Sequence, residues 1–480
     1  MDVRELTAIL PFLIVVIWAC VLLLVDLFIP RDRKGVTAVL AAVGLIAGLV
    51  AAVLQLGTER EAFGGMIIVD GYASILQILF MGTGLIAIML AYDYVKRKGI
   101  ERGEYYALLL FTLSGMTLMA TAGDLIVVFL ALELISLPLY VLAGFARPDL
   151  QSEESAIKYF LLGAFASSFV VYGIAMIFGA TMTTSLAGIV AAIEAPPALM
   201  LVGGGLILVG LGFKVAAVPF HMWTPDVYHG APSAVTAFMS VGAKAGGFAA
   251  LLRVFVAAFP DLASSWGQIA MWIAALTMAW GNVVAIAQTN IKRMLAYSSI
   301  AHAGYILVAL PAAASPQVAP EAIRAALFYL LGYAITNLGA WAVVLALERA
   351  EGKGLAIDDY AGLGSRRPAL ALAMALFMLS LTGMPPTVGF VGKFYIFRAA
   401  IDAQLVWLAL VGVITSLISA YYYLRVIVTM YMRPGEPQTH SELWLNATVL
   451  LTAVGTFVFG ILPGPLLALA GQAGLLSLLP

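Results

Sequence analysis

The sequence has little of what metal and redox sites need. Cys20 is the single cysteine in 480 residues, and it cannot form a disulfide or supply the thiolates of an iron–sulfur cluster within this chain. The histidines are dispersed, with no pair at the i, i+4 spacing of a helical metal site. They are His221, His229, His302 and His440. We therefore expect no metal and no redox cofactor in this chain.

Motifs that bind nucleotide phosphates are also missing. The glycine-rich segment 203–212, "GGGLILVGLG", lies inside an apolar run and follows no strand. It therefore indicates close helix packing rather than a dinucleotide site. The sequence contains no Walker A motif, so we expect no nucleotide hydrolysis.

Apolar residues dominate what is present. They make up 63% of the chain, charged residues make up only 11%, and the mean hydropathy is +1.03. Runs of about 20 apolar residues, the length that crosses a bilayer, follow one another. They lie at about 8–29, 35–56, 71–93, 104–121, 124–144, 155–178, 199–221, 231–257, 266–286, 297–311, 321–347, 367–400, 404–432 and 445–470. Because backbone groups in lipid must be paired and the runs are too long for barrel strands, we predict an all-α polytopic membrane protein of about fourteen helices.

The chain is expected to form one membrane domain, 1–480. Its longest polar connection, 348–366, is too short to hold a soluble domain. The first run is followed by "RDRK" and shows no small-residue cleavage site, which favours a retained helix over a signal peptide.

The distribution of positive charge predicts the orientation. Fifteen of the 25 Lys and Arg residues fall in the connections after helices 1, 3, 5, 9, 11 and 13: Arg31, Arg33, Lys34, Lys96, Arg97, Lys98, Arg102, Arg147, Lys292, Arg293, Arg349, Lys353, Arg366, Arg367 and Arg433. Five fall at the N-terminus and the opposite ends: Arg4, Arg60, Arg253, Arg324 and Arg398. The positive-inside rule then places both termini outside, on the periplasmic side.

The remaining cations lie within apolar runs and raise the question of function. A charge at the bilayer centre costs at least about 2.5–3.5 kcal/mol, whereas one near a helix end can reach water. Lys244 lies midway along its run, and Lys214 and Lys393 lie beside helix breaks. With Glu133, the clearest acid in mid-helix, these three lysines are the main candidates for function.

Three other charges have simpler explanations. Lys158 follows Glu154 by four residues, a favourable helical ion pair, so structural and functional interpretations remain equally open. Arg425 and Asp26 lie nearer to helix ends, which favours contact with water.

Two helices are predicted to be broken by proline. The segment "GFKVAAVPFHMWTPD" carries Lys214 just before Pro219, and "LTGMPPTVGFVGKFYIF" carries Lys393 after Pro385 and Pro386. Proline removes a backbone donor and clashes with the preceding turn, so each helix should unwind at membrane depth. Such backbone is tolerated only when it is buried in protein or lines a water-filled cavity.

The two broken helices are five positions apart and suggest an internal repeat. Helices 4–8 (104–257) and 9–13 (266–432) would be the two copies, between helices 1–3 (1–103) and helix 14 (445–470). Copies with an odd number of helices face opposite ways, as in the inverted repeats of many transporters. Glu133 and His302 both fall on the second helix of a copy.

Lysine chemistry favours protons as the transported ion. Burial favours a neutral lysine and a nearby carboxylate favours the charged one, so a lysine held between these influences can gain and lose a proton. Glu133 is the expected partner of Lys214. A site for Na⁺ or K⁺ would offer several carboxylates and carbonyls, and only one central carboxylate is evident.

Several segments together resemble one family over nearly the full length: the antiporter-like membrane subunits of the bacterial proton-pumping NADH:quinone oxidoreductase, respiratory complex I. They are "LALELISLPLYVLAGF", "SEESAIKYFLLGAFASSFVVYGIAMIFGATMTTSL", "GFKVAAVPFHMWTPDVYHGAPSAVTAFMSVGAKAGGFAALLR", "NIKRMLAYSSIAHAGY" and "SLTGMPPTVGFVGKFYIF". The resemblance implies fourteen helices with helices 7 and 12 discontinuous, and a proton route through Glu133, Lys214 and Lys244 to Lys393. Lys158 and His302 are weaker candidates for the same route.

The resemblance also implies the partners and the location. NADH, FMN, iron–sulfur clusters and quinone are expected in other subunits, and the chain in the bacterial inner membrane beside them, with no nucleic acid. One sister subunit ends in a long lateral helix, which is absent here, and another carries a glutamate where Lys393 stands; both differences favour the third subunit type.

Three alternatives remain open at this stage. They are a subunit of a multisubunit cation/proton antiporter, a subunit of a membrane-bound hydrogenase, and a non-conducting scaffold whose buried charges form only structural ion pairs.

Overall fold

A computed structural model describes residues 3–30, 33–192, 196–349 and 352–474; Arg31, one of the predicted cytoplasmic cations, lies outside these ranges. The described residues are mostly helical. The helices are α1 Val3–Ala8, α2 Leu10–Asp26, α3 Gly35–Leu54, α4 Gly71–Arg97, α5 Glu104–Ala120, α6 Leu125–Ala143, α7 Leu150–Thr181, α8 Leu186–Ala191, α9 Pro197–Val215, α10 Trp223–Gly230, α11 Ser233–Phe238, α12 Lys244–Ala258, α13 Ala263–Ile286, α14 Ile291–Leu307, α15 Ala309–Ala312, α16 Ala319–Leu347, α17 Leu363–Arg366, α18 Pro368–Thr382, α19 Val388–Asp402, α20 Val406–Met432, α21 Leu443–Ile461 and α22 Gly464–Gly471.

One hairpin interrupts the helices. Strand β1 Arg60–Ala62 pairs antiparallel with β2 Ile67–Val69 in the connection between α3 and α4. It lies outside the apolar runs, as a sheet edge must in a protein that crosses lipid.

Most helices suit a bilayer. Among the described residues, eleven helical segments are long and apolar enough to cross a membrane, and α2, α5 and α18 are shorter apolar helices. The chain is therefore a multi-pass membrane protein, as its hydropathy predicts.

Both predicted helix breaks are present. Helix α9 ends at Val215, where Ala216 adopts a left-handed φ of 62°, and α10 begins at Trp223. Helix α18 ends at Thr382, where Gly383 has φ 90°, and α19 begins at Val388. A left-handed residue after the last turn is a common way to end a helix, and here it brings the chain into each break.

A third irregularity was not expected. Residues 239–243 form a π-helical turn between α11 and α12, and Lys244 is the first residue after it. Such turns insert an extra residue and re-aim the side chains beside them, often at functional sites.

The centre of the bundle is formed by three segments. The most apolar windows of 233–258, 291–312 and 319–347 are 100%, 94% and 94% buried, so α11, α12, α14 and α16 lie inside the protein. The broken helices pack around this centre: α7 contacts both α9 and α10, and α16 contacts both α18 and α19. Lys214 on α9 and Lys393 on α19 therefore lie beside this centre, and Lys244 on α12 lies within it.

Candidate functional site

Lys214 lies in the last turn of α9 with 2% of its surface exposed. Its Nζ donates to Ser136 Oγ on α6 at 2.8 Å and to Tyr159 OH on α7 at 3.4 Å. Ser136 in turn donates to the Leu132 carbonyl at 2.6 Å. The ammonium is therefore held by hydroxyl groups of two neighbouring helices rather than by a carboxylate.

Glu133 lies one turn before Ser136 on α6 and is half-buried. Ser167 Oγ on α7 donates to its Oε1 at 2.5 Å. The charge of Glu133 acts on Lys214, but the two described side chains form no ion pair within 4.0 Å. In this conformation each side chain is bound to hydroxyl groups, Glu133 to Ser167 and Lys214 to Ser136 and Tyr159, and the two are not bound to each other.

Lys244 is 3% exposed and donates to the Ser299 carbonyl on α14 at 2.7 Å and to the Ser299 hydroxyl. The ring centroid of Tyr228 lies 5.8 Å from its Nζ. The π-helical turn directs this lysine toward the middle of α14.

His302 lies on α14, 3% exposed, in a cluster of tyrosines. Its Nδ1 is 2.8 Å from Tyr329 OH and its Nε2 is 3.2 Å from Tyr423 OH, which also contacts Ser298 Oγ at 2.5 Å. Both Lys244 and Lys393 act on its charge. His302 is therefore connected to tyrosine hydroxyl groups through both ring nitrogens.

Lys393 lies in the second turn of α19 and is 4% exposed. Its Nζ donates to the carbonyls of Leu381 and Thr382, at 3.1 and 2.9 Å, and lies 4.4 Å from the Tyr305 ring centroid. The carbonyls are the last of α18, where the helix dipole is negative and stabilises a cation. The break between α18 and α19 thus supplies the partners of this lysine.

Lys158 has a different environment. Its side chain is 41% exposed and pairs with Glu154 at 2.7 Å, as the sequence spacing predicted, and with Asp226 at 2.9 Å. Asp226 also pairs with Arg293 at 2.9 Å. Lys158 is therefore part of an exposed ion-pair network, separate from the buried lysines.

Arg253 has a buried partner that the sequence did not reveal. It was counted among the cations at the outer helix ends, and it is 1% exposed on α12. Its guanidinium donates to both oxygens of Asp70, at 2.9 and 2.8 Å, and to the Ala120 carbonyl. Asp70 is the N-cap of α4, 183 positions away, so no local pattern could reveal the pair.

Glu348, the first residue of the predicted polar connection 348–366, is only 3% exposed. Lys98 Nζ lies 2.8 Å and Tyr94 OH 3.2 Å from its Oε1. Burial opposes ionisation, but Lys292 and Lys98 hold the pKa of this carboxyl below its ordinary value. Three residues expected in loops therefore form a buried charged cluster at the end of α16.

The described residues thus contain a row of buried lysines with neutral partners. Hydroxyl groups can both accept and donate a proton, and lysine can be charged or neutral, so such a row is suited to passing protons. Among the described residues no three His, Cys, Asp or Glu side chains are grouped as metal ligands.

Comparison with known proteins gives the family. Residues 122–419 match the family described as "NADH:quinone oxidoreductase/Mrp antiporter, TM". A protein from Chloroflexus aggregans named NADH-quinone oxidoreductase subunit N is 50% identical, over 98% of this chain and 97% of its own length. The chain belongs to the subunit N family of NADH-quinone oxidoreductase.

Solved structures agree with this assignment. A chain of respiratory complex I from Thermus thermophilus has 36% identity and a TM-score of 0.82, covering 96% of this chain and 99% of that chain. A chain of the Mrp complex from Dietzia sp. has a TM-score of 0.86 over 98% of this chain and 97% of that chain, at 23% identity. The second likeness shows that the fold is shared with this chain of the Mrp complex, whereas the higher sequence identity is to the subunit N family.

Proposed function

We propose that this chain translocates protons across the membrane through Glu133, Lys214, Lys244, His302 and Lys393, driven by quinone reduction elsewhere in a complex I assembly. The supporting observation is that three lysines, each at most 4% exposed, have hydroxyls, carbonyls and aromatic rings as neighbours instead of carboxylates. A lysine with such neutral partners can be either charged or neutral, whereas a direct ion pair would hold it in the charged form.

The proposed route passes from the first broken helix to the second. Glu133 and Lys214 both contact α7, through Ser167 and Tyr159, so a small shift of α7 would alter a hydrogen bond of each residue. From Lys244 the route reaches Ser299 on α14. The neighbouring Ser298 contacts Tyr423 OH on α20, which lies 3.2 Å from His302 Nε2. His302 lines a cavity of about 10 Å³, the size that admits roughly one water, beside the second break. Lys393 is the terminal carrier.

Helix packing supports an inverted repeat, with helices 4–8 and 9–13 as its copies in a fourteen-helix protein. Helix α5 packs on α6 as α13 packs on α14, and α7 contacts both halves of one broken helix as α16 contacts both halves of the other. Lys158 is not assigned to the route because its charge is compensated at the surface.

The partners follow from the family. The other membrane subunits of complex I would lie beside this chain in the bacterial inner membrane, and NADH, FMN, iron–sulfur clusters and quinone would bind to other subunits. An antiporter or hydrogenase subunit is not retained as a candidate, because 50% identity over 98% of this chain places it in the subunit N family.

The central test replaces two charged groups. We expect Lys214→Ala and Glu133→Gln to assemble but to lower proton-coupled quinone reduction by about tenfold or more, since each removes a proton-transfer group. Quinone reduction and proton uptake would be measured in membranes at matched amounts of assembled complex. Lys158→Ala and Glu154→Gln, an exposed pair, are the matched controls. Near wild-type rates for both test variants would contradict the proposed route.

The orientation is tested separately. With Cys20 replaced, Arg102→Cys should react with a membrane-impermeant thiol reagent only from the cytoplasm, and Gly474→Cys only from outside. Both positions are exposed; Arg102 lies in a predicted cytoplasmic connection, and Gly474 lies near the C-terminus, which is predicted to be outside. Labelling of both from one side would show that the number of crossings between them is even.

A further inference from the structure

A groove opens on the surface of the helix bundle between α18 and α21. It is separate from the buried lysines of the proposed proton route. Its volume is about 760 Å³. Apolar side chains of both helices form its walls, among them Leu372 and Leu450, which are 67% and 66% exposed. Isolated exposed leucines are ordinary in a membrane protein, but a concave apolar groove of this size has room for acyl chains.

One end of the groove is polar and basic. Arg366, Arg367, His440 and Asn446 line it, and a second cavity of about 610 Å³ shares both arginines. Arg366 pairs with the exposed Glu436. Arg367 donates through Nε to Thr439 at 3.1 Å, and its terminal nitrogens have no hydrogen-bond partner among the described residues. Burial and Arg97 lower the pKa of His440, so the histidine adds no positive charge at neutral pH.

Two helix starts strengthen this positive end. Helices α18 and α21 both begin here, at Pro368 and Leu443, and neither has a side-chain cap. The first amides of both helices therefore lack partners within the helix, and the positive ends of both dipoles face the same region. Glu442, the N-cap of α21, is already paired with Arg97 at 2.5 Å.

We propose that this groove binds an anionic phospholipid of the bilayer, with its phosphate at Arg366 and Arg367 and its acyl chains along α18 and α21. The combination of a basic, amide-rich mouth with apolar walls matches a negatively charged headgroup above hydrocarbon chains, and basic residues near a membrane surface attract such lipids. Trp444, 41% exposed in the first turn of α21, is the type of residue that marks the level of the headgroups.

The test uses the assembled complex in vesicles of equal parts phosphatidylglycerol and phosphatidylcholine. Phe457, which lines the groove, is replaced by the photoreactive p-benzoylphenylalanine, and the same replacement of Phe165, 65% exposed on α7, is the matched control. After irradiation, mass spectrometry gives the ratio of phosphatidylglycerol to phosphatidylcholine adducts at each position. We expect a severalfold higher ratio at the groove than at α7.

The arginines are then tested in the same assay. Arg366→Gln and Arg367→Gln should each lower the ratio at the groove by about fivefold, and Arg147→Gln, an exposed arginine elsewhere, should leave it unchanged. Equal ratios at the two positions would overturn the proposal. A ratio that does not change in the two arginine variants would also overturn it. Crosslinks to a neighbouring subunit in place of lipid would show that the groove is a protein interface and would overturn it as well.

Discussion

The protein buries two kinds of cation, and they have different partners. Arg253 makes two bonds to the carboxylate of Asp70, both residues being at most 1% exposed. Lys214 and Lys393 are almost as deeply buried, but their Nζ atoms contact only hydroxyl oxygens, carbonyls and aromatic rings.

This difference separates structure from function. A buried bidentate pair fixes both charges, because neutralising either residue would leave the charge of the other buried and uncompensated. Arginine is in any case always protonated. The lysines have partners that tolerate either state, so these are the positions at which a proton can arrive and leave. Burial of a charge therefore does not by itself mark a transport site; the chemistry of its neighbours does.

The largest effect should come from placing arginine in a lysine position. Lys393→Arg keeps the charge, and its guanidinium can still donate to the carbonyls that end α18, so we expect normal assembly. Because arginine does not release its proton, pumping should fall by about tenfold or more. Lys393→His or Lys393→Glu should retain part of the activity, since both can titrate.

Proton uptake per assembled complex is the measurement that ranks these variants. If Lys393→Arg pumps as well as the wild type while Lys393→Glu fails to assemble, Lys393 is a structural cation. In that case Lys393 has the same structural role as Arg253, and neutral partners do not distinguish a transport group from a structural cation.

The reverse effect is expected at Arg253. Arg253→Ala removes the guanidinium that compensates the buried Asp70 carboxylate, a loss of about 3–5 kcal/mol, so the amount of assembled complex should fall severalfold. Arg253→Lys keeps the charge but not the two parallel bonds, and its loss should be smaller. Native gels and thermal unfolding give the stability. Complexes that do assemble should pump at the wild-type rate; slow pumping at normal stability would show that Arg253 takes part in transport.

The sequence predicted the helices, the breaks and the buried lysines because each rests on a local signal. An apolar run of membrane length, a proline within it and a lysine near its middle can all be read within about 20 residues. The hydroxyl partners could not be predicted, since Ser136, Tyr159 and Ser299 are ordinary residues of apolar helices and act only where other helices bring a lysine to them. Lys98 and Glu348 lie just after α4 and α16, in predicted connections, but their ion pair could not be predicted because it depends on how the two helix ends pack.

The smallest predicted effect concerns the hydroxyl beside Lys214. Ser136→Ala removes its nearer acceptor and leaves Tyr159 at 3.4 Å. A lost hydrogen bond of about 0.5–1.5 kcal/mol corresponds to a fall of about two- to tenfold in proton-coupled quinone reduction, with assembly unchanged. Ser168→Ala is the matched control, because Ser168 is an exposed serine that donates only to the Ala164 carbonyl of its own helix. The corresponding variant cannot be made at Lys393, whose acceptors are backbone carbonyls that no side-chain substitution removes. If Ser136→Ala and Ser168→Ala have the same rate, the hydroxyl only fills space beside Lys214, and the proton must reach this lysine from Glu133 by a path that does not use it.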